Sequence, residues 1–210
     1  RMGGIRSVVR VTANDPYRLM GYKTPAATTA ENAWEPYALE MLAAVLDGGN
    51  SARFSKDLVR GSEVAVSAGA DYNAFTRLPG MLMLDGTPAS GRSVAELEGA
   101  LRDEIARLRS DPVTEEELER VRTQVIASKV FELDSVFYQA MEIGMLETIG
   151  LDWRLLEQYV DALKQVTPEQ VREVARRYLV DENLTVTRLE PLPMENHQPV
   201  RRAVGGRHGS

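Results

Sequence analysis

The side chains that can attack, hold a metal or shuttle a proton near neutral pH are scarce in this chain. Its 210 residues include no Cys and two His. Without Cys, disulfides, iron–sulfur clusters, thiolate nucleophiles and Cys-based zinc sites are excluded. His197 and His208 stand eleven residues apart in a Gly- and Arg-rich tail. A helix that grips zinc through two His needs them at i, i+4 on one face, as in HExxH or HxxEH. These two cannot form that site and read as solvated tail residues. No Ser/His/Asp or Cys/His arrangement can be assembled. The expectation is a chain with no catalytic residue and no metal site of its own.

The remaining polar groups have plain readings. Glu115 to Glu117, Glu119, Asp134, Glu142 and Glu147 fall in helical stretches beside Arg or Lys, where capping and solvation account for them. Asp47-Gly-Gly-Asn50 and Gly86-Thr-Pro88 match neither GxxxxGK[ST] nor GxGxxG, and read as a helix stop and a turn. Asn183-Leu-Thr185 fits a glycosylation sequon but lies inside a predicted strand. Arg53, Lys56 and Arg60 form a basic cluster. It reads as a solvated face, or as a guanidinium beside a strand edge that could hold a peptide carbonyl or carboxylate.

Charge and composition bound the class. A net charge of −6 argues against a nucleic-acid footprint, which is normally basic. No apolar run approaches the ~18 residues of a membrane span, and no signal-peptide pattern opens the chain. The chain starts Arg1-Met2 and enters a strand pattern at once, which reads as a piece of a longer polypeptide.

The elements that must position these groups follow in order. Ile5 to Thr12 is rich in β-branched residues and reads as a strand; Asn14-Asp-Pro16 is a turn, and Tyr17 to Lys23 a second strand. Trp34 to Asp47 has a wide apolar helical face that Gly48-Gly49 terminates. A short basic helical segment, Ser51 to Arg60, leads into a strand-like run from Val64 to Phe75, where Gly69 predicts a bulge or a close backbone approach. Met81 to Leu84 reads as its antiparallel neighbour, followed by a loop from Thr87 to Gly91. Ser93-Val-Ala-Glu96 and Thr114-Glu-Glu-Glu117 are capping-box signatures. The second opens a helix running past Lys129 with Leu118, Val121, Val125 and Val130 inward. Helices over Ser135 to Ile149, holding Phe137, Met141, Met145 and Leu146, and over Trp153 to Val166 come next. Thr167-Pro-Glu-Gln170 starts another. A strand from Asn183 to Leu189 precedes Pro191. Hairpins followed by consecutive helices do not give the alternation of a doubly wound fold. The expected fold is α+β, with an antiparallel or mixed sheet of about five or six strands backed by helices on one face. It occupies residues 1–192 as a single domain, with a polar tail over 193–210.

Several stretches in this order resemble one family. They are Leu19-Met-Gly-Tyr-Lys-Thr-Pro25, Ala38 to Gly49, Ser51-Ala-Arg-Phe54, Leu58-Val-Arg60 with Val64 to Ala68, Thr114 to Leu118, and Thr167 to Thr185. The family is the pitrilysin/insulinase-type zinc metallopeptidases, which includes mitochondrial processing peptidase and its bacterial relatives, and the match is to its C-terminal, inactive domain. The resemblance implies two similar α+β domains per subunit and subunits facing each other across a peptide-binding chamber. It places zinc in an N-terminal domain that carries an inverted HxxEH helix, a motif this chain lacks. It also implies as partners that N-terminal zinc-binding domain, a related second subunit or a second copy, and peptide substrates.

Some members hold substrate with an Arg and a Tyr seven residues apart. Laid on this chain, the Arg position falls on Arg60 and the Tyr position on Ser67. A Ser hydroxyl is too short to reach where a Tyr hydroxyl would, so the pair is broken. Tyr72 lies five residues further on, which by strand alternation puts it on the opposite face, and it cannot replace Ser67. In two-subunit bacterial members the zinc-bearing subunit often lacks the pair, so the expected parent is that subunit. The implied role is a non-catalytic domain that walls the chamber and supports substrate binding and subunit pairing. The alternative is a purely structural or assembly domain of the same fold.

Overall fold

A computed structural model of the chain describes residues 4–13 and 15–192. The tail with His197 and His208 lies outside them, as does Asn14 of the predicted Asn-Asp-Pro turn. Five strands form one sheet: β1 (Ile5–Thr12), β2 (Tyr17–Thr24), β3 (Ala65–Tyr72), β4 (Gly80–Pro88) and β5 (Leu184–Leu192). Their order is β1-β5-β2-β4-β3. β1 runs parallel to β5 and every other pairing is antiparallel, so the sheet is mixed.

The alternation of side chains along these strands builds the core. Met20 and Tyr22 of β2, Leu82 and Leu84 of β4, and Leu184 and Val186 of β5 all point to one face and are buried. Helices α1 (Glu35–Asp47), α2 (Val94–Ser110) and α6 (Pro168–Tyr178) pack on that face. α3 (Glu115–Leu133) and α5 (Leu155–Lys164) lie on α1, and α4 (Val136–Ile149) pairs with α3. α2 starts where the sequence says it should. The Glu96 N–H donates to the Ser93 hydroxyl (3.2 Å) and the Ser93 N–H to the Glu96 carboxylate (2.7 Å), closing a capping box. Its Leu97, Leu101, Ile105 and Leu108 then face the sheet. α6 repeats the device with Thr167 and Gln170, and Pro168 opens it. Gly86 lets α2 lie close. An added Cβ there would stand 2.8 Å from the Ser67 carbonyl oxygen and 3.1 Å from Leu97.

Two carboxylates tie the helix layer to itself and to the sheet. Glu98 of α2 takes Arg18 of β2 (2.7 Å), Arg102 (3.0 Å) and Arg6 of β1 (3.2 Å). Burial pushes its carboxyl up, but the three guanidiniums outweigh that and hold it below its ordinary value. Glu35, fully buried at the start of α1, accepts from Asn32, Arg177 and Tyr178, each at 2.8 Å. It thereby joins the first turn of α1 to the last turn of α6, where an acid and a base each suit the local helix dipole.

Several boundaries differ from expectation, each for a local reason. β4 continues through Thr87 and Pro88, predicted as loop; Pro88 sits at the strand end beside the bulge between Ala65 and Ser67, where no ladder N–H is demanded. β5 runs past Leu189 because it pairs with β1 as far as Leu192. Residues Phe54–Gly61 form a π-helical turn. The second capping box is half made. Thr114 caps the Glu117 N–H (3.1 Å), but the Glu117 carboxylate is held by a two-pronged Arg53 (2.9 and 2.8 Å), a stronger partner than a backbone amide. Val130 is half exposed, and in α4 Phe137 and Met141 face solvent while Leu146 is its buried residue. Leu118, Val121 and Leu146 join the core, while the far end of the α3–α4 hairpin, over 130–141, stands clear of it.

Replacing Glu35 by Ala would leave Asn32, Arg177 and Tyr178 without their common acceptor. We expect a loss of about 2–4 kcal/mol, with an unchanged m-value in urea unfolding.

Candidate functional site

The residues of the sheet that do not enter the core form a second surface. From β2 it takes Tyr17, Leu19, Gly21 and Lys23; β4 adds Met81, Met83, Asp85 and Thr87, and β3 adds Ser67, Gly69 and Asp71. The helices all pack on the opposite face, so this one is open among the described residues. Gly21 makes it a shelf. The sulfurs of Met83 and Met81 would stand 3.1 and 3.3 Å from a Cβ there, so the two methionines lie across a missing side chain.

Ser67 is exposed on this face, opposite Thr87. Tyr72 points the other way, as alternation predicts. It is buried, and its hydroxyl donates to the Pro25 carbonyl (2.8 Å). Gly69 serves a close approach, whereas the bulge lies earlier, between Ala65 and Ser67. An added Cβ at Gly69 would meet Asp85 Oδ1 at 2.8 Å and Asp47 Oδ2 at 3.4 Å. The Tyr17 hydroxyl donates to Asp85 Oδ2 (2.5 Å); burial first, and then the bond to Asp85, push the phenol up to about 12. Asp47, raised by burial and by facing Asp85, accepts from the Ala70 N–H (3.3 Å). That bond places a carboxylate on the free edge of β3, where it obstructs pairing with another strand.

Arg60 goes elsewhere. Its guanidinium donates to the Asn50 carbonyl (2.5 Å) and lines a cleft of about 780 Å³ between the π-helical turn, the end of α2 and the start of α3. Arg53 and Lys56 share that cleft, with Arg53 committed to Glu117. The fold therefore does not bring Arg60 and Ser67 together. One faces a charged cleft on the helix side and the other the open sheet.

A third cluster escaped the sequence reading because its members come from four helices. Glu40 of α1, Lys129 of α3, Glu142 of α4 and Tyr159 of α5 line a cavity of about 350 Å³ beside Asp71 and Tyr72. The Tyr159 hydroxyl donates to Glu40, and Lys129 pairs with Glu142 (3.2 Å) and lies 5.6 Å from the centre of the Tyr159 ring. The available signal was an acid in the middle of an otherwise apolar α1. Burial pushes Glu40 up to about 6, against the pull of Tyr159 and Lys129. Among the described residues no group of three or more His, Cys, Asp or Glu is placed to hold a metal ion.

The shift in Glu40 has a sign that can be measured. The folded chain binds this proton more tightly than the unfolded chain, so stability declines as pH rises from about 4.5 through about 6. Glu40→Gln should flatten that part of the stability–pH curve and gain roughly 2 kcal/mol near neutrality, read by chemical unfolding at a series of pH values. Gly69→Ala should displace Asp85, cost about 1–3 kcal/mol, and lower the Tyr17 phenol in a spectroscopic titration.

Comparison with known proteins agrees with this absence of machinery. A protease from Helicobacter pylori superposes over 90% of this chain and 45% of its own, with a TM-score of 0.81 at 19% identity. The inactive peptidase domain of a candidate zinc protease from Bordetella parapertussis superposes over 91% of this chain and 99% of its own, with a TM-score of 0.73 at 24% identity. Both show the fold. In sequence, the uncharacterized zinc protease YmxG of Bacillus subtilis is 25% identical over 146 residues, 70% of this chain. The chain spans 35% of that relative's length. The family model described as the peptidase M16 inactive domain matches residues 3–125, more than half of the chain, and the chain belongs to that family as a non-catalytic domain.

Proposed function

We propose that this chain is the C-terminal, non-catalytic domain of a zinc-dependent metalloendopeptidase, where it walls the peptide-binding chamber and supports substrate binding and subunit pairing. The observation that carries the reading is the open face of the sheet. A stable core stands behind it, and the face itself offers adaptable methionines, the Tyr17–Asp85 pair and Ser67, with no group able to cleave a bond. Thioether side chains fit varied apolar surfaces, which suits a wall that meets many peptide sequences. Among the described residues no donor set fits zinc, and in this reading the metal and its general base belong to an N-terminal domain of the longer polypeptide.

Arg60 and Ser67 contribute unequally in this proposal. Arg60 keeps a guanidinium at the mouth of a cleft and can take a peptide carbonyl or carboxylate by exchanging its bond to Asn50. Ser67 supplies a hydroxyl on the open face but no long reach. Because the two face different surfaces, the purely structural reading stays in play as the alternative outcome of the experiment.

The test is zinc-dependent cleavage of a peptide mixture by the longer polypeptide, with and without a related second subunit. Activity is expected from the assembly and none from residues 1–210 alone. Cleavage by this chain alone overturns the proposal, and an N-terminal half without HxxEH or activity favours the structural role. Within an active assembly, Arg60→Ala should raise KM roughly five-fold with little change in kcat, the worth of about 1 kcal/mol of ground-state binding.

A further inference from the structure

Every residue of β1 is exposed, and beside its first residues a cavity of about 290 Å³ opens toward α2. Leu184 and Val186 of β5 line its apolar part, and Arg6, Arg102 and Asp181 its charged part. The guanidiniums around it outnumber the acids they meet. Arg6, Arg18 and Arg102 share the carboxylate of Glu98, and Asp181 takes Arg102 (2.8 Å). Arg188 of β5 stands directly opposite Arg18 of β2, a like-charge pair that weakens a sheet. It is paired with Glu190 (2.8 Å), which also takes Arg10 (2.8 Å). These contacts set five guanidiniums against three carboxylates, an excess of two positive charges in a chain whose net charge is −6.

Two donors in this cluster lack an acceptor. Arg102 spends Nε on Glu98 (3.0 Å) and Nη1 on Asp181 (2.8 Å), and its buried Nη2 has no partner among the described residues. Arg18 is only 5% exposed; its Nη2 meets Glu98 (2.7 Å), and its Nε is likewise unpartnered. Burial pushes the Arg18 guanidinium down, Glu98 pulls it back up, and Arg188, Arg6 and Arg102 oppose that pull. An arginine keeps its proton at any ordinary pH, so the fold bears the cost of an ionised group short of acceptors. A bound anion relieves both deficits, the unmet donors and the unmatched charge. Asp181 does not oppose it, because Arg102 already offsets its charge. Guanidiniums grip carboxylate and phosphate alike through paired N–H groups, but an excess of two charges matches a dianion. The cavity is also small, since pockets that enclose drug-sized molecules begin at roughly 300 Å³.

We propose that the cavity between β1 and α2 binds a small dianion of the phosphate class, held by Arg6 and Arg102, with the buried Arg18 adding positive charge beside them. The site stands apart from the peptidase reading and survives its failure. The test is calorimetric titration of the 210-residue chain with inorganic phosphate and with sulfate, against sodium chloride at matched ionic strength. Saturable binding of both is expected, at one site. Phosphate should weaken at mildly acidic pH, where it becomes a monoanion, while sulfate should not. Arg6→Gln removes a side chain that is 68% exposed and leaves the fold intact, and it should weaken binding about ten-fold. Arg102→Gln should abolish it, but that change also strips Glu98 and Asp181 of a partner, so Arg6→Gln carries the decision. Arg10→Gln, equally exposed on β1 at 67% but outside the cavity, should leave binding within about two-fold. Vesicles of phosphatidylcholine with phosphatidic acid separate the two sources of a phosphate group. Retention that Arg6→Gln abolishes assigns a lipid headgroup, and calorimetric binding without retention assigns the free ion. Heats no different from chloride without vesicle retention, or binding untouched by Arg6→Gln, would overturn the site.

Discussion

The constraint on which this structure depends is that one layer of helices can cover only one face of a five-stranded sheet. α1, α2 and α6 bury Met20, Tyr22, Leu82, Leu84, Leu184 and Val186, and each such side chain gains about 1.5–3 kcal/mol by leaving water. The alternate residues of the same strands are then committed to the other face by pleat geometry alone. Core and open wall are thus two consequences of one alternation. β1 shows the limit of this, since all eight of its residues are exposed and its apolar side chains find no second layer.

Electrostatics then fix how the layers meet. Arg18, Arg6 and Arg102 converge on Glu98, and Asn32, Arg177 and Tyr178 on Glu35. In each case one carboxylate gathers donors from separate elements, so its burial is tolerated because its lone pairs are occupied. Glu40 lies at the other extreme. Its hydrogen-bond donor among the described residues is Tyr159, and burial wins over that bond and over Lys129, which leaves its proton tightly held. The difference between Glu98 and Glu40 is the number of guanidiniums within reach.

Much of this was legible beforehand where the controlling physics is local. The capping boxes at Ser93 and Thr167, the helix stop at Gly150 and the β3–β4 hairpin follow from residues within a few positions of one another. Local rules failed where a distant partner intervened. Glu117 left its capping box for Arg53, 64 residues away in sequence. Periodicity alone placed Phe137 and Met141 in a helix without revealing that the far end of the α3–α4 hairpin lies beyond the core that Leu118, Val121 and Leu146 join. Gly69 was marked as a bulge or a close approach; the carboxylate of Asp85 on the neighbouring strand decided between them.

By itself the sequence determined what this chain cannot do. Lacking Cys, with both His in the tail and no HxxEH, it has no thiolate chemistry and no two-histidine zinc helix that folding could recover, because folding rearranges side chains and does not supply them. It also determined the α+β class, since the strand and helix periods are written in the order of apolar residues. Only the tertiary structure decided that Arg60 and Ser67, seven residues apart, face different surfaces. A π-helical turn, a bulge and a strand lie between or beside them, and the direction of a side chain after such a junction depends on the packing of α2, α3 and the sheet. The Glu40–Tyr159–Lys129–Glu142 cluster belonged to the same category, for its four members are neighbours in space while 119 residues separate Glu40 from Tyr159.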